Sequence, residues 1–266
     1  MMIRTLSFDG KETEVLRFGK EGGEKLVILP GLSVKSVMGA ADAIASAYSQ
    51  LAEDRDVYLI ERVKEVPEGY GISDMADDAL RDFELLGIDR ADIMGVSMGG
   101  MIALAMALKD PEKVSSLVLC SSASRVGSEY VPIFKEWKRL AESRDAGALG
   151  KAFGKAVYTP SFYEEYKEII DASAEGADER EFRSFAASVD AVLAFDVYEE
   201  LGSIRCPVFV LGAGEDRVLG AKASHDMMEK LSCKGYIYEG RGHGVYDEAP
   251  DYRQRIKEFL EKGKYI

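Results

Sequence analysis

Ser97 lies in the run Gly95-Val96-Ser97-Met98-Gly99-Gly100, between an apolar stretch at 91–94 and an alanine-rich stretch at 101–108. The order reads as strand, tight turn, helix. Glycine two residues before and two after the serine makes this a G-x-S-x-G elbow, which lifts the hydroxyl clear of a strand end at a helix N-terminus. Exposed N–H groups and the helix dipole favour an oxyanion there. A serine hydroxyl is a weak nucleophile near neutral pH and needs an adjacent base, itself oriented by a carboxylate. The chain has two histidines. His225 falls in the helical pattern Ala223-Ser224-His225-Asp226-Met227 and reads as a surface residue. His243 falls in the glycine-rich loop Glu239-Gly240-Arg241-Gly242-His243-Gly244-Val245, just after the last apolar strand run, and is the expected base, because catalytic side chains of a parallel sheet collect beyond its carboxyl ends. The loop Leu211-Gly212-Ala213-Gly214-Glu215-Asp216-Arg217 offers two carboxylates, Glu215 and Asp216. The N–H groups expected to hold an oxyanion are those of Met98, after the nucleophile, and Leu32, in Leu29-Pro30-Gly31-Leu32-Ser33, where Gly31 permits close approach.

These residues need a scaffold, and the hydrophobic pattern supplies it. Alternation at 3–8 and 14–18 around Asp9-Gly10-Lys11 predicts a hairpin. Apolar runs at 25–29, 57–60, 91–94 and 117–120 alternate with helical spacing at 37–52, 73–86 and 101–108. This is the signature of a parallel sheet with helices on both faces. Ser73 is the expected cap of the second helix, with Asp74, Asp77 and Asp78 favourable at its positive end, and Gly87 ends it. From 126 to 204 strand signals stop, and four helical stretches follow at 131–141, 146–158, 162–174 and 179–195. The sheet resumes at 207–211, then come a helix at 222–231, a strand at 235–238 and a closing helix at 252–260. The expected fold is α/β: a mostly parallel eight-stranded sheet with helices on both faces and a helical cap inserted after the sixth strand. The expected core domain is 1–125 with 205–266, and the cap is 126–204.

Composition narrows the partners. A net charge of −13 disfavours nucleic acid and anionic membranes, since both need a basic surface. No apolar run approaches the ~18 residues of a membrane span, and the N-terminus lacks an apolar signal segment, so a cytoplasmic protein is expected. Cys120, Cys206 and Cys233 form no C-x-x-C and read as small apolar residues. There is no H-E-x-x-H, G-x-G-x-x-G or Walker A sequence, so neither a metal nor another cofactor is expected. The expected partner is a small acyl substrate; the sequence leaves a homodimer open.

Gly95-Val96-Ser97-Met98-Gly99-Gly100, Gly214-Glu215-Asp216 and Gly242-His243-Gly244-Val245-Tyr246-Asp247-Glu248-Ala249-Pro250 together resemble the α/β-hydrolase superfamily over the whole chain. The superfamily order Ser, Asp, His selects Asp216 over Glu215 as the acid. The resemblance implies a serine hydrolase with a Ser97, Asp216, His243 triad, acting on a small ester, thioester, lactone or C–C bond, with acyl transfer or ligand reception as alternatives on the same fold. Pro30 departs from the histidine many relatives carry before the glycine, but the donors of that loop are backbone groups. A serine nucleophile also separates the chain from dehalogenase and epoxide-hydrolase relatives, which attack with aspartate.

The cap is rich in aromatic residues, among them Phe134, Trp137, Phe153, Tyr163 and Phe185. They either line an apolar pocket or fill the cap's own core, and the core is the expected place for most. Arg125, at the edge of the cap, and Arg144, Arg180 and Arg183 within it are candidates to meet a substrate carboxylate, against a default of solvated surface.

Overall fold

The computed structural model describes residues 1–262. Among them eight strands form one sheet: β1 (Met2–Phe8), β2 (Lys11–Gly19), β3 (Glu24–Leu29), β4 (Arg55–Ile60), β5 (Ala91–Val96), β6 (Val114–Cys120), β7 (Val208–Ala213) and β8 (Lys234–Tyr238). Their order is β1-β2-β4-β3-β5-β6-β7-β8. β2 runs antiparallel to both β1 and β4, and every other pairing is parallel. The hairpin turns at Asp9 and Gly10, both at positive φ (48° and 75°), the geometry whose twist matches the flanking strands.

Eleven helices are described: α1 (Ala41–Ala47), α2 (Ser49–Ala52), α3 (Ile72–Leu86), α4 (Met98–Lys109), α5 (Val131–Glu142), α6 (Ala146–Val157), α7 (Pro160–Asp171), α8 (Glu179–Ala194), α9 (Ala221–Leu231), α10 (Val245–Glu248) and α11 (Tyr252–Lys262). The strands sort their side chains between two cores by simple alternation. Val27, Leu29, Ile93, Leu117 and Leu119 pack with Phe83 of α3 and Met101 and Leu104 of α4. Leu26, Ile28, Met94, Val118 and Cys120 pack on the other face with Leu51 of α2 and Tyr252 and Ile256 of α11. α4 is buried from Met98 to Ala107, which is why its sequence is apolar all round instead of striped.

Two local expectations are corrected. The stretch 37–52 is not one helix but a 3-10 turn, Val37–Ala40, followed by α1 and α2, with Tyr48 between them at φ −97°, ψ 13°. The alanines favour helix, yet the buried Tyr48 and Leu51 side chains must both reach the core beneath them, and packing overrides propensity. α3 begins one residue before Ser73, capped by Gly71, whose N–H donates to Asp74 Oδ2 at 2.8 Å. Gly87 ends that helix in the left-handed region, at φ 66°.

The helices α5 to α8 occupy the chain between β6 and β7, and the last turn expected of α7 is instead the separate 3-10 turn Ala172–Ala174. Entry and exit of this excursion lie side by side, where Arg125 and Asp196 form an antiparallel bridge and Val197 N–H donates to Ser124 O at 3.0 Å.

Candidate active site

Ser97 stands between β5 and α4 at φ 52°, ψ −118°, a conformation a non-glycine residue adopts only when its surroundings impose it. Those surroundings are backbone. A Cβ at Gly95 would lie 2.5 Å from Gly100 Cα, and one at Gly99 would lie 2.6 Å from Pro30 O, so strand, turn and helix meet at a separation only glycine allows. The turn is tied at both ends. Ser97 N–H donates to Cys120 O at 2.8 Å, and Ser122 Oγ donates to Ser97 O at 2.8 Å.

His243 and Asp216 arrive from the loops after β8 and β7. Gly214 N–H donates to Tyr238 O and Glu215 N–H to Arg241 O, each at 2.9 Å, so the two loops are stitched before their side chains meet. His243 Nε2 is 3.0 Å from Ser97 Oγ, and His243 Nδ1 is 2.8 Å from Asp216 Oδ2. With Nδ1–H donating to the carboxylate, the Nε2 lone pair faces the serine hydroxyl, the tautomer a base requires. Burial alone would raise the Asp216 carboxyl. The adjoining imidazole and the N–H groups of Leu219 (2.9 Å) and Val218 (2.7 Å) outweigh it, and hold the group below the ordinary carboxylate range. Glu215 points to solvent, and His225 is exposed on α9. Of the four predicted charged or ring candidates in these loops and helices, the structure brings together Asp216 and His243 and leaves the other two apart.

The N–H groups of Leu32 and Met98 take no partner among the described residues, and both residues line the cavity that contains Ser97 and His243. A Cβ at Gly31 would lie 3.3 Å from Ser97 Cβ, which brings the Leu32 loop against the serine. The cavity encloses about 600 Å³ and is walled mainly by apolar side chains. Phe134, Trp137 and Phe153 of the inserted helices line it, with the Trp137 ring 5.2 Å from Phe134 and 4.6 Å from Phe153. Tyr163, Phe182 and Phe185 instead fill the interior of the helices that carry them. Arg125, Arg144, Arg180 and Arg183 lie exposed and paired to Asp196, Glu179, Asp178 and Glu179 respectively, away from the cavity.

Further residues hold the site; Glu248 and Asp247 fall in the motif around His243, but the sequence assigns them no role. Buried Glu248 accepts Thr159 N–H at 2.7 Å, Thr159 Oγ1–H at 3.1 Å and Gly242 N–H at 3.2 Å. Gly244 N–H donates to Val157 O at 2.9 Å, so the α6–α7 junction clamps the loop of His243 from both sides. Tyr158 OH donates to Asp247 Oδ2 at 2.8 Å alongside. Among the described residues no three histidine, cysteine, aspartate or glutamate side chains converge on a metal position, and no helix is long and apolar enough to cross a membrane.

Comparison with known proteins identifies the family. A protein of Rhizobium rhizogenes named "Putative carbamate hydrolase RutD" is 31% identical over 205 residues, covering 74% of this chain and 76% of its own. The 3-oxoadipate enol-lactonase 2 of Acinetobacter baylyi is 23% identical over 149 residues, 56% of this chain and 55% of the relative. Among solved structures, the enol-lactonase of Burkholderia xenovorans LB400 superposes with a TM-score of 0.84 over 97% of this chain and 100% of that one, at 18% identity, which shows the shared fold. The model of the alpha/beta hydrolase family matches residues 26–252. With that match spanning most of the sheet and the whole of the inserted helices, the chain belongs to the alpha/beta hydrolase family and is a hydrolase.

Proposed function

We propose that the protein is a serine hydrolase of small carboxylic esters or closely related acyl compounds, working through Ser97, His243 and Asp216. The observation that carries this reading is the unbroken chain of contacts from Ser97 Oγ through both ring nitrogens of His243 to Asp216, opening on an apolar cavity. His243 Nε2 takes the Ser97 proton as Oγ attacks the carbonyl carbon, and Asp216 stabilises the imidazolium that forms. The N–H groups of Leu32 and Met98 receive the oxyanion. The imidazolium then protonates the leaving group, and water, deprotonated by the same histidine, releases the acid from the acyl-enzyme. Carbamate and enol-lactone cleavage, the activities in the relatives' names, are both attacks on an acyl carbon, and so support this class of chemistry. In this reading α5 to α8 act as a cap over the reacting atoms, the protein works in the cytoplasm, and neither a cofactor, nucleic acid nor a membrane surface takes part.

The test is hydrolysis of p-nitrophenyl esters from acetate to laurate by wild-type protein and by Ser97→Ala. Turnover that the substitution abolishes, with a melting temperature close to wild type, is the expected result. Wild-type turnover in Ser97→Ala, or folded wild-type protein inert on every ester, would falsify the ester-hydrolase reading.

A further inference from the structure

One side of the cavity, a chamber between the sheet and α1, is walled mainly by residues outside the inserted helices. Phe134, Trp137 and Val192 belong to the core on the α3–α4 side, whereas Ile28, Tyr48, Leu59 and Val96 belong to the core on the α1–α11 side, and all of them line the same space. The cavity therefore passes Ser97 and His243 and continues between the sheet and α1, where its far wall includes Tyr48, Tyr246, Asp247 and Arg253.

Arg253 is anomalous in this molecule. Five arginines among the described residues are not solvent-exposed: Arg17, Arg55, Arg62, Arg253 and Arg255. Four of them reach a carboxylate, namely Arg17 with Asp56 (2.7 Å), Arg55 with Asp92 (2.7 Å), Arg62 with Glu61 (3.2 Å) and Arg255 with Asp251 (2.8 Å). Arg253 has no ion pair among the described residues, and its Nε–H is buried with no hydrogen-bond partner. Its guanidinium lies 4.9 Å from the centroid of the Tyr48 ring, an attraction that orients it without neutralising it. Asp247 on the same wall feels the charge of Arg253 but makes no ion pair with it, and its carboxylate receives the Tyr158 hydroxyl. A half-buried guanidinium that is held by a ring, feels Asp247 but is not paired with it, and has a buried donor without a partner is matched to a planar anion entering the cavity.

We propose that Arg253 is a specificity-determining residue that pairs with a carboxylate on the part of the substrate entering the chamber beneath α1, so that the preferred substrates are acyl compounds carrying a second, ionised carboxyl group. This rests on the serine-hydrolase reading above and specifies its substrate class. The carboxylate is bound, not transformed: no bond to it forms or breaks.

The experiment compares matched pairs of esters. In one series the charge is on the acyl side, p-nitrophenyl hydrogen adipate and suberate against the hexanoate and octanoate. In the other it is on the alcohol side, 5-acetoxypentanoate and 7-acetoxyheptanoate against pentyl and heptyl acetate, followed by pH-stat. Each is run on wild type, Arg253→Met, Arg253→Lys and Ser97→Ala, the last correcting for uncatalysed hydrolysis. The readout is the ratio of kcat/KM for charged and neutral partners, which does not depend on the fraction of each preparation that is folded. The expected result is a ratio of at least about ten in one series, falling to one or below in Arg253→Met and intermediate in Arg253→Lys. A ratio at or below one in both series of wild type, or a preference that survives in Arg253→Met, overturns the proposal while the neutral esters still report on the serine mechanism. No Ser97-dependent turnover of any ester, neutral or charged, rejects the serine-hydrolase reading itself, and the proposal with it.

Discussion

Asp216 and Asp82, two of the buried aspartates, behave in opposite ways. Asp216, at the end of β7, receives three donors: the N–H groups of Val218 and Leu219 and the His243 ring. Asp82, on α3, receives one, the Thr13 hydroxyl at 2.8 Å, while its Oδ2 has no partner. Burial pushes both upward. For Asp216 the donors prevail and the carboxyl stays ionised; for Asp82 burial prevails over the Thr13 bond, the nearby charge of Asp78 adds to it, and the pKa rises to about 7. Asp78 accepts from Lys11 at 2.7 Å and from the Tyr70 hydroxyl at 2.6 Å, so it meets Asp82 as a like charge and not as a donor. The lesson is that depth does not set the charge of a carboxyl; the number and sign of the groups that meet it do.

The contrast can be broken at either end, most strongly at Asp216. Under the proposed mechanism Asp216→Asn keeps the shape but removes the charge that would support the imidazolium, and ester turnover is expected to fall about 10⁴-fold, the cost of this change in another triad. Steady-state kinetics on a p-nitrophenyl ester, beside an unfolding curve, separate this from loss of fold.

Asp82 bears on stability instead. Its folded pKa lies above its unfolded value, so the folded state binds the extra proton, and stability falls as pH rises from about 4 through about 7. Asp216 has the reverse sign: its contribution is present above the unfolded carboxylate range and is lost as pH falls through its lower folded value. Asp82→Asn is therefore expected to remove the alkaline decline and raise stability at pH 8 relative to pH 5 by about 1–3 kcal/mol, with turnover intact. Urea unfolding of both proteins at the two pH values measures it, and equal slopes with pH would mean that Asp82 does not titrate. The smallest effect belongs to Thr13→Val. Loss of the single donor should cost about 1 kcal/mol, more at pH 8 than at pH 5, because an ionised Asp82 needs that hydroxyl more than a neutral one.

Much of the site could be read from the sequence because its geometry is local. The elbow is a pentapeptide whose glycines are required by contacts within the same turn and with the Leu29-Pro30 backbone, and only two histidines competed for the base. Asp216 and Glu215 are adjacent acids, indistinguishable by composition; the β7 loop buries one and exposes the other. The cap was less legible. Helical spacing identifies a buried stripe but not what lies across from it, so Trp137 and Phe185 look alike although one lines the cavity and the other fills a core. The arginines considered as partners of a substrate carboxylate are all taken up by surface acids, Arg144 and Arg183 by the same one, Glu179. Arg253 was invisible: in α11 it reads as one more polar residue of an amphipathic helix, and its isolation is created by Tyr48, two hundred positions earlier. Glu248 likewise acquires its role from Thr159, through a contact no local pattern encodes.

The narrow neck formed by Arg125 and Asp196 has a consequence for ancestry and engineering. Paired residues in such a bridge have Cα atoms only about 5 Å apart. From the standpoint of the sheet, the long helical excursion leaves and returns at almost a single point. Its length and content therefore impose no tension on the β6–β7 pairing beneath. A lineage can rewrite much of what rises from that junction, and a designer can graft a different roof there, provided that the Val157–Thr159 contacts that hold the loop of His243 are kept.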